Sequence, residues 1–159
     1  MEMLSHLSTR LQYQHQALVD LIDGLSIEMI RRQIIPGKWS IFENIIHLQC
    51  YQHTFINRVN EIIEKDNPFF DRYTAESDPL FLENCGKTTR EAMHDLISFR
   101  KEIAELINGF TETVLNRTGT HPYFGTMSLL QWINFFLLHE AHHLFTILKL
   151  RAALQKEMR

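Results

Sequence analysis

The chain is poor in the residues that cross-link or interrupt a fold. It has two cysteines, Cys50 and Cys85, and neither sits at C-x-x-C spacing. A disulfide framework or a dithiol redox motif is therefore not expected. Free thiols in a reducing compartment are the simpler reading. The start, Met-Glu-Met, turns amphipathic at once without a secretory signal, so the expected location is cytoplasmic. There are four prolines and six glycines, and the prolines all fall between periodic segments, so the helices can be long. The longest apolar run, Leu129 to Leu138, is broken by Gln131 and Asn134 and is too short to span a bilayer. Net charge is -3 with histidine neutral, and the strongest basic cluster near the start is only Arg31-Arg32. Neither nucleic acid nor a membrane is expected as a partner.

What is present reads as a bundle. With 159 residues, 45% hydrophobic and 22% charged, the chain has the size and balance of one globular domain spanning 1–159. A first helix is expected over Leu4 to Met29, with Leu4, Leu7, Leu11, Leu18, Leu21 and Leu25 at heptad positions and Gln14 in the polar gap. Pro36-Gly37 breaks the chain. A second helix starts at Ser40, where Ser40 and Glu43 form a capping box, and ends near Asp66. A third starts at Thr88 or Thr89 behind a second box, Thr88 with Glu91. Its stripe is Ala92, Leu96, Phe99, Ile103, Leu106 and Phe110, with no buried candidate for chemistry. A fourth starts at a third box, Ser128 with Gln131, and runs to about Glu157. Its first half is apolar nearly all round, which suggests a homodimer contact. The link Asn67 to Lys87 is long enough for a crossover, with Asp78-Pro79 opening a short helical turn. The expected fold is an all-α four-helix bundle with a long crossover between the second and third helices.

The functional signal is His139-Glu140-Ala141-His142-His143. His139 and His143 lie four residues apart, on one helical face. They share the stripe Trp132, Phe136, His139, His143, Ile147, Leu150, where a core-facing helix should carry leucines. Burying a polar group without a partner costs roughly 2–7 kcal/mol. One divalent cation would satisfy both rings, and His47 of the second helix is the candidate third ligand. The alternatives are that these histidines are merely buried and hydrogen-bonded, or that His142 replaces His143. Glu43 and Tyr51 stand four residues either side of His47. Glu43 has its capping role to play, and Tyr51 can touch a bound water or simply pack. Glu140 points about 100° away from His139 and is a supporting or surface group. The letters His139-Glu140-x-x-His143 also fit the zinc-protease motif. Only sixteen residues follow His143, however, and no strand pattern precedes the helix.

Pro36-Gly37-Lys38-Trp39-Ser40-x-x-Glu43-x-x-x-His47 resembles the second-helix signature of the DinB-like superfamily. His121-Pro122-x-Phe124-Gly125-x-Met127-Ser128-Leu129-x-x-Trp132, followed by His139-Glu140-x-x-His143, resembles its fourth-helix signature. The resemblance implies a crossover bundle, often dimeric, with a three-histidine divalent metal site, here His47, His139 and His143, and zinc or nickel as the metal. His121, inside the second signature, becomes a candidate near the substrate. Some relatives are transferases that use low-molecular-weight thiols, and others resemble metal-dependent hydrolases. Three neutral imidazoles leave an open coordination position that can lower the pKa of a thiol or a water. Three functions follow. One is transfer of a low-molecular-weight thiol to a small electrophilic substrate. Another is hydrolysis by a metal-bound hydroxide, with Glu43 or Glu140 as the base. The third is a non-catalytic bundle. A charged thiol would need a cation near the site, and Arg58 and Lys38 are the nearest in sequence.

Overall fold

In the computed structural model, which describes residues 5–157, the three capping boxes sit where the sequence places them. Ser40 opens α4 (Ile41–Glu64), with its hydroxyl accepting from the Glu43 N–H while Glu43 accepts from the Ser40 N–H. Thr88 and Glu91 do the same for α6 (Thr89–Asn108). Ser128 and Gln131 do so for α8 (Leu129–Glu157). The Asp78 side chain caps α5 (Pro79–Asn84) within the long link. Each side chain satisfies a backbone donor that the first turn leaves without a helical partner.

The first expected helix is not continuous. Leu4 lies outside the described residues. The rest divides into α1 (Ser5–Tyr13), a 3-10 turn at Gln14–Gln16, α2 (Ala17–Ile22) and α3 (Ile27–Arg31). Gly24 takes φ 72, in the left-handed region that stops a helix. Ser26 then caps α3, accepting the Met29 N–H at 3.2 Å.

Cross-helix contacts give the topology. Asn44 meets His143 and Phe55 stacks on Phe136, so α4 and α8 run antiparallel. The link turns back along α4, because Phe81 stacks on Trp39 and the Asn84 amide donates to Gln49 near the start of that helix. α6 therefore leaves from the end where α4 began, which is the expected crossover. Ser8 bonds Asn108 and Arg100 reaches the Leu11 carbonyl, so α1 runs against α6. Arg10 bonds Asn134 and Arg151 reaches the Asp20 carbonyl, so α1 and α2 run along α8. α4 and α1 each pack on both α6 and α8.

A hairpin that the sequence reading does not contain precedes α8. After α7 (Glu112–Leu115), β1 (Thr118–His121) pairs antiparallel with β2 (Gly125–Ser128). Gly125, at φ 74, allows the turn. Phe69 of the link forms a bridge to Thr120, and Arg117 donates to the Ile62 and Lys65 carbonyls at the end of α4. With α7 and α1, the hairpin packs on the first half of α8. Leu129, Trp132, Ile133, Phe136 and Leu137 are buried there, while Leu138 is exposed. Most of the apolar circumference assigned to a second copy is thus covered by the chain itself.

The core has two apolar clusters, one holding Leu18, Leu48, Leu96 and Leu144 and the other Leu11, Phe55, Ile103 and Leu137. Between them lies a buried polar layer. Arg100 of α6, 1% exposed, ion-pairs with Glu140 of α8, which is equally buried. The same guanidinium donates to Gln52 of α4 at 2.8 Å and to the Leu11 carbonyl of α1 at 3.5 Å. One side chain thus ties four helices. The third helix, which the sequence offers as scaffold without a buried candidate for chemistry, contributes a buried structural charge that its apolar stripe does not announce. Its stripe also drifts, with Leu106 exposed while Ala104 and Ile107 are buried. An α-helix rotates by roughly 20° per heptad relative to a strict seven-residue repeat. Among the described residues, no helix is long and apolar enough to cross a membrane.

Candidate metal centre

α4 and α8 bring three imidazoles together. His47 occupies the second turn of α4, and its Nε2 lies 3.0 Å from the Nε2 of His139. His143, one turn on from His139, has its ring centre 4.3 Å from that of His47. One ring nitrogen from each of the three falls within 4.8 Å of the others. No further histidine, cysteine or carboxylate joins this group among the described residues.

The protonation of the cluster follows from its surroundings. Burial drives the pKa of His47 down to about 4. Burial, followed by the charges of neighbouring imidazoles, lowers His143 to about 3 and His139 to about 2. Arg58 adds to the effect at His139. All three rings are neutral at pH 7, each with a lone pair to give. Asn44 decides which nitrogen of His143 carries it. The Asn44 amide donates to the Ser40 carbonyl at 2.8 Å, which turns its oxygen toward His143. That oxygen accepts from His143 Nδ1 at 2.8 Å, leaving Nε2 unprotonated. The buried Nδ1 atoms of His47 and His139 have no hydrogen-bond partner. Two Nε2 atoms at hydrogen-bond distance and two partnerless Nδ1 atoms leave the pair under-satisfied by protein alone. A donor set of three neutral imidazoles fits a divalent metal ion.

The cluster lines a cleft of about 680 Å³ that is open on one side. Trp39 packs against His47 at 4.9 Å between ring centres, and Tyr51 against His139 at 4.1 Å. Tyr73 and His121 also line the cleft. His121 accepts the N–H groups of Tyr123 and Phe124 on its Nδ1, which fixes the hairpin turn at the rim. A larger groove, about 810 Å³, lies beside Arg10, Tyr13 and Ile97 and holds no cluster of metal-ligating side chains.

Of the residues singled out by sequence, His47, His139, His143, Tyr51 and His121 thus share one cleft. Glu43 and Glu140 do not line it. Glu43 stays in its capping box. Burial opposes its charge, but hydrogen bonds from the Ser40 N–H and Gln33 hold its carboxyl below the usual range. Glu140 faces the other way, into Arg100 and Gln14. A hairpin does precede α8, contrary to the sequence reading, yet with Glu140 turned into the core the zinc-protease motif has no base. His142 is exposed and stands outside the cluster. Lys38 is exposed and does not line the cleft, whereas Arg58 does. Sequence reasoning missed Asn44 and Tyr73. Asn44 had a signal, since it is a polar residue three positions before His47 on a buried helix face. Tyr73 comes from the irregular link and had none.

Comparison with known proteins agrees with this architecture. The chain is 26% identical over 151 residues to YuaE of Bacillus subtilis (strain 168), an uncharacterized protein, covering 85% of this chain and 91% of that one. Its fold matches that of YfiT from Bacillus subtilis with a TM-score of 0.80 at 16% identity, over 95% of this chain and 87% of the other. YfiT is described as a probable metal-dependent hydrolase with an unusual four-helix bundle topology. Residues 10–147 match the DinB superfamily, and the chain belongs to that family.

Proposed function

We propose that this protein is a metal-dependent enzyme acting on a small molecule, with one divalent ion, zinc or nickel, held by His47, His139 and His143. The reaction we assign is transfer of a low-molecular-weight thiol to an electrophile. The observation that carries the reading is the cluster of three neutral imidazoles on the wall of an open cleft, without a fourth protein ligand among the described residues. A bound ion of this kind is a Lewis acid that lowers the pKa of a coordinated thiol or water.

The chain's own residues do the rest. Asn44 holds the proton of His143 on Nδ1. Burial pushes the Tyr51 phenol up, so it stays protonated. Its oxygen accepts from Arg58 at 3.5 Å, which leaves the O–H free to donate into the cleft. Trp39 and Tyr73 wall off the imidazoles. Glu43 and Glu140, the two carboxylates that stood as candidate bases for a water nucleophile, are both engaged elsewhere. A thiol, far more acidic than water, depends less on such a base.

Hydrolysis remains the second reading, on two specific supports. YfiT is described as a probable hydrolase, and Glu76, exposed, is a carboxylate on the cleft wall. A purely structural ion is disfavoured by the open side of the site. The test is conjugation of several small thiols to a model electrophile, with metal-loaded wild type and His139→Ala. Equal rates in the two proteins refute the transferase. Turnover without thiol, abolished by a chelator, assigns the hydrolase. We also infer a homodimer through the exposed apolar strip Leu138, Phe145 and Leu148, and light scattering at the mass of one chain would refute it.

A further inference from the structure

Arg58 lies eleven residues after His47 and seven after Tyr51 on α4. It is 7% exposed and lines the same cleft as the imidazoles. Its guanidinium donates to the Asp71 carbonyl at 2.8 Å and to the Tyr51 oxygen at 3.5 Å. It stands 5.5 Å from the ring centres of Phe70 and Trp132. Among the described residues, no carboxylate lies within ion-pair distance of it. Arg100, the other deeply buried arginine, has Glu140. A guanidinium keeps its charge at any pH that the protein meets. Buried charges are otherwise paired, because an uncompensated one is expensive. Carbonyl bonds and aromatic faces soften that cost but do not cancel the charge.

We propose that Arg58 and Tyr51 form a carboxylate-binding subsite beside the three imidazoles, and that the small molecule bound in the cleft carries a carboxylate on an apolar body. The guanidinium fork matches a carboxylate in two parallel bonds. The Tyr51 O–H, left free by the bond its oxygen accepts, adds a third donor. Tyr73, Phe124 and Phe135 supply the apolar wall for the remainder of the ligand. Arg72 and Glu76, both exposed at the same cleft, carry opposite charges in solvent and offset one another, so the buried guanidinium of Arg58 sets the charge of the subsite. The subsite rests on the small-molecule reading above but not on the choice between thiol transfer and hydrolysis. The carboxylate belongs either to the thiol or to its acceptor.

The experiment is a binding measurement on the full chain, read by the fluorescence of its two tryptophans, Trp39 and Trp132, both at or next to the cleft. The probes are 3-phenylpropionate and its neutral amide. Wild type should bind the carboxylate at least ten-fold more tightly. Arg58→Gln should lose that preference, Arg58→Lys should keep part of it, and His47→Ala should keep most of it. Circular dichroism checks that each variant is folded. If Arg58→Gln does not fold, the Lys variant and the salt dependence of wild-type binding carry the test. Equal binding of acid and amide by wild type overturns the proposal. So does a preference lost in His47→Ala and kept in Arg58→Gln, which would place the carboxylate on the imidazole cluster. In a turnover assay, Arg58→Gln should raise KM for the one co-substrate that bears the carboxylate, which identifies the source. A failed turnover assay with the binding preference intact would count against the reaction assigned above and not against the subsite.

Discussion

Replacing Arg100 with methionine tests whether the buried polar layer is held by charge compensation. The guanidinium is 1% exposed and joins α1, α4, α6 and α8 through Leu11, Gln52 and Glu140. Its removal leaves the Glu140 carboxylate in the core with only Gln14 as a side-chain donor, at 3.0 Å. Breaking a buried pair from one side costs about 3–5 kcal/mol. For a chain of this length each kcal/mol shifts Tm by roughly 2–4 °C, so the melting point should fall by about 6–20 °C. The double variant Arg100→Met, Glu140→Leu removes the orphaned charge as well. Two apolar groups of similar volume are often neutral or better than a buried pair. Against this, the Gln52 oxygen loses its donor, worth ~1–3 kcal/mol. The double variant should therefore melt well above the single one, within several degrees of wild type. Thermal denaturation of the set by circular dichroism is the assay. A double variant as unstable as the two single changes added together would refute the reasoning. Metal content gives a second readout. Because Glu140 faces Arg100 and not the cleft, the double variant should bind as much metal as wild type.

Asn44→Ala should weaken metal binding roughly 10- to 100-fold, the usual cost of losing the hydrogen bond that orients a ligating histidine. Competition with a chromophoric chelator measures it, and unchanged affinity would mean that Asn44 does not set the His143 tautomer. His15 is buried, with burial and then the Arg100 charge lowering its pKa to about 4. Its unfolded value is 6.5, so the unfolded chain binds the proton first and stability falls as pH drops from 6.5 toward 4, by ~2 kcal/mol between pH 7 and pH 5. His15→Leu should lose that component, so its stability relative to wild type should rise by this amount over the same interval in urea melts; a parallel pH profile would contradict it. At Gly119 an added Cβ would sit 2.8 Å from Phe70 and 2.9 Å from Ile62. Gly119→Ala should therefore lower stability by about 1–3 kcal/mol, and an unchanged Tm would show that the hairpin is less tightly packed on α4.

What the sequence made legible is what local chemistry decides. Capping boxes are written in four residues, so the starts of α4, α6 and α8 were visible. The pair at 139 and 143 is a helical spacing, so two of the three clustered imidazoles were visible on one face before any fold was known. The break at Gly24 was lost because a leucine repeat continues across it, and apolar spacing carries no record of a backbone that changes direction. The hairpin was lost because strands of four residues are too short to show alternation. Charge was the least legible. Arg58 and Arg100 each lie beside an apolar stripe, and although proximity to His47 singles out Arg58 in the sequence, nothing there shows which of the two is buried with a partner. Arg100 proves to be answered by Glu140, forty residues away on another helix, whereas Arg58 has no carboxylate answering it among the described residues. Only the three-dimensional contacts separate a cation that completes the core from one whose counter-ion must come from outside the chain. That difference points to Arg58 as the place for the ligand's charge, on the same face of α4 as His47 and about three turns further along.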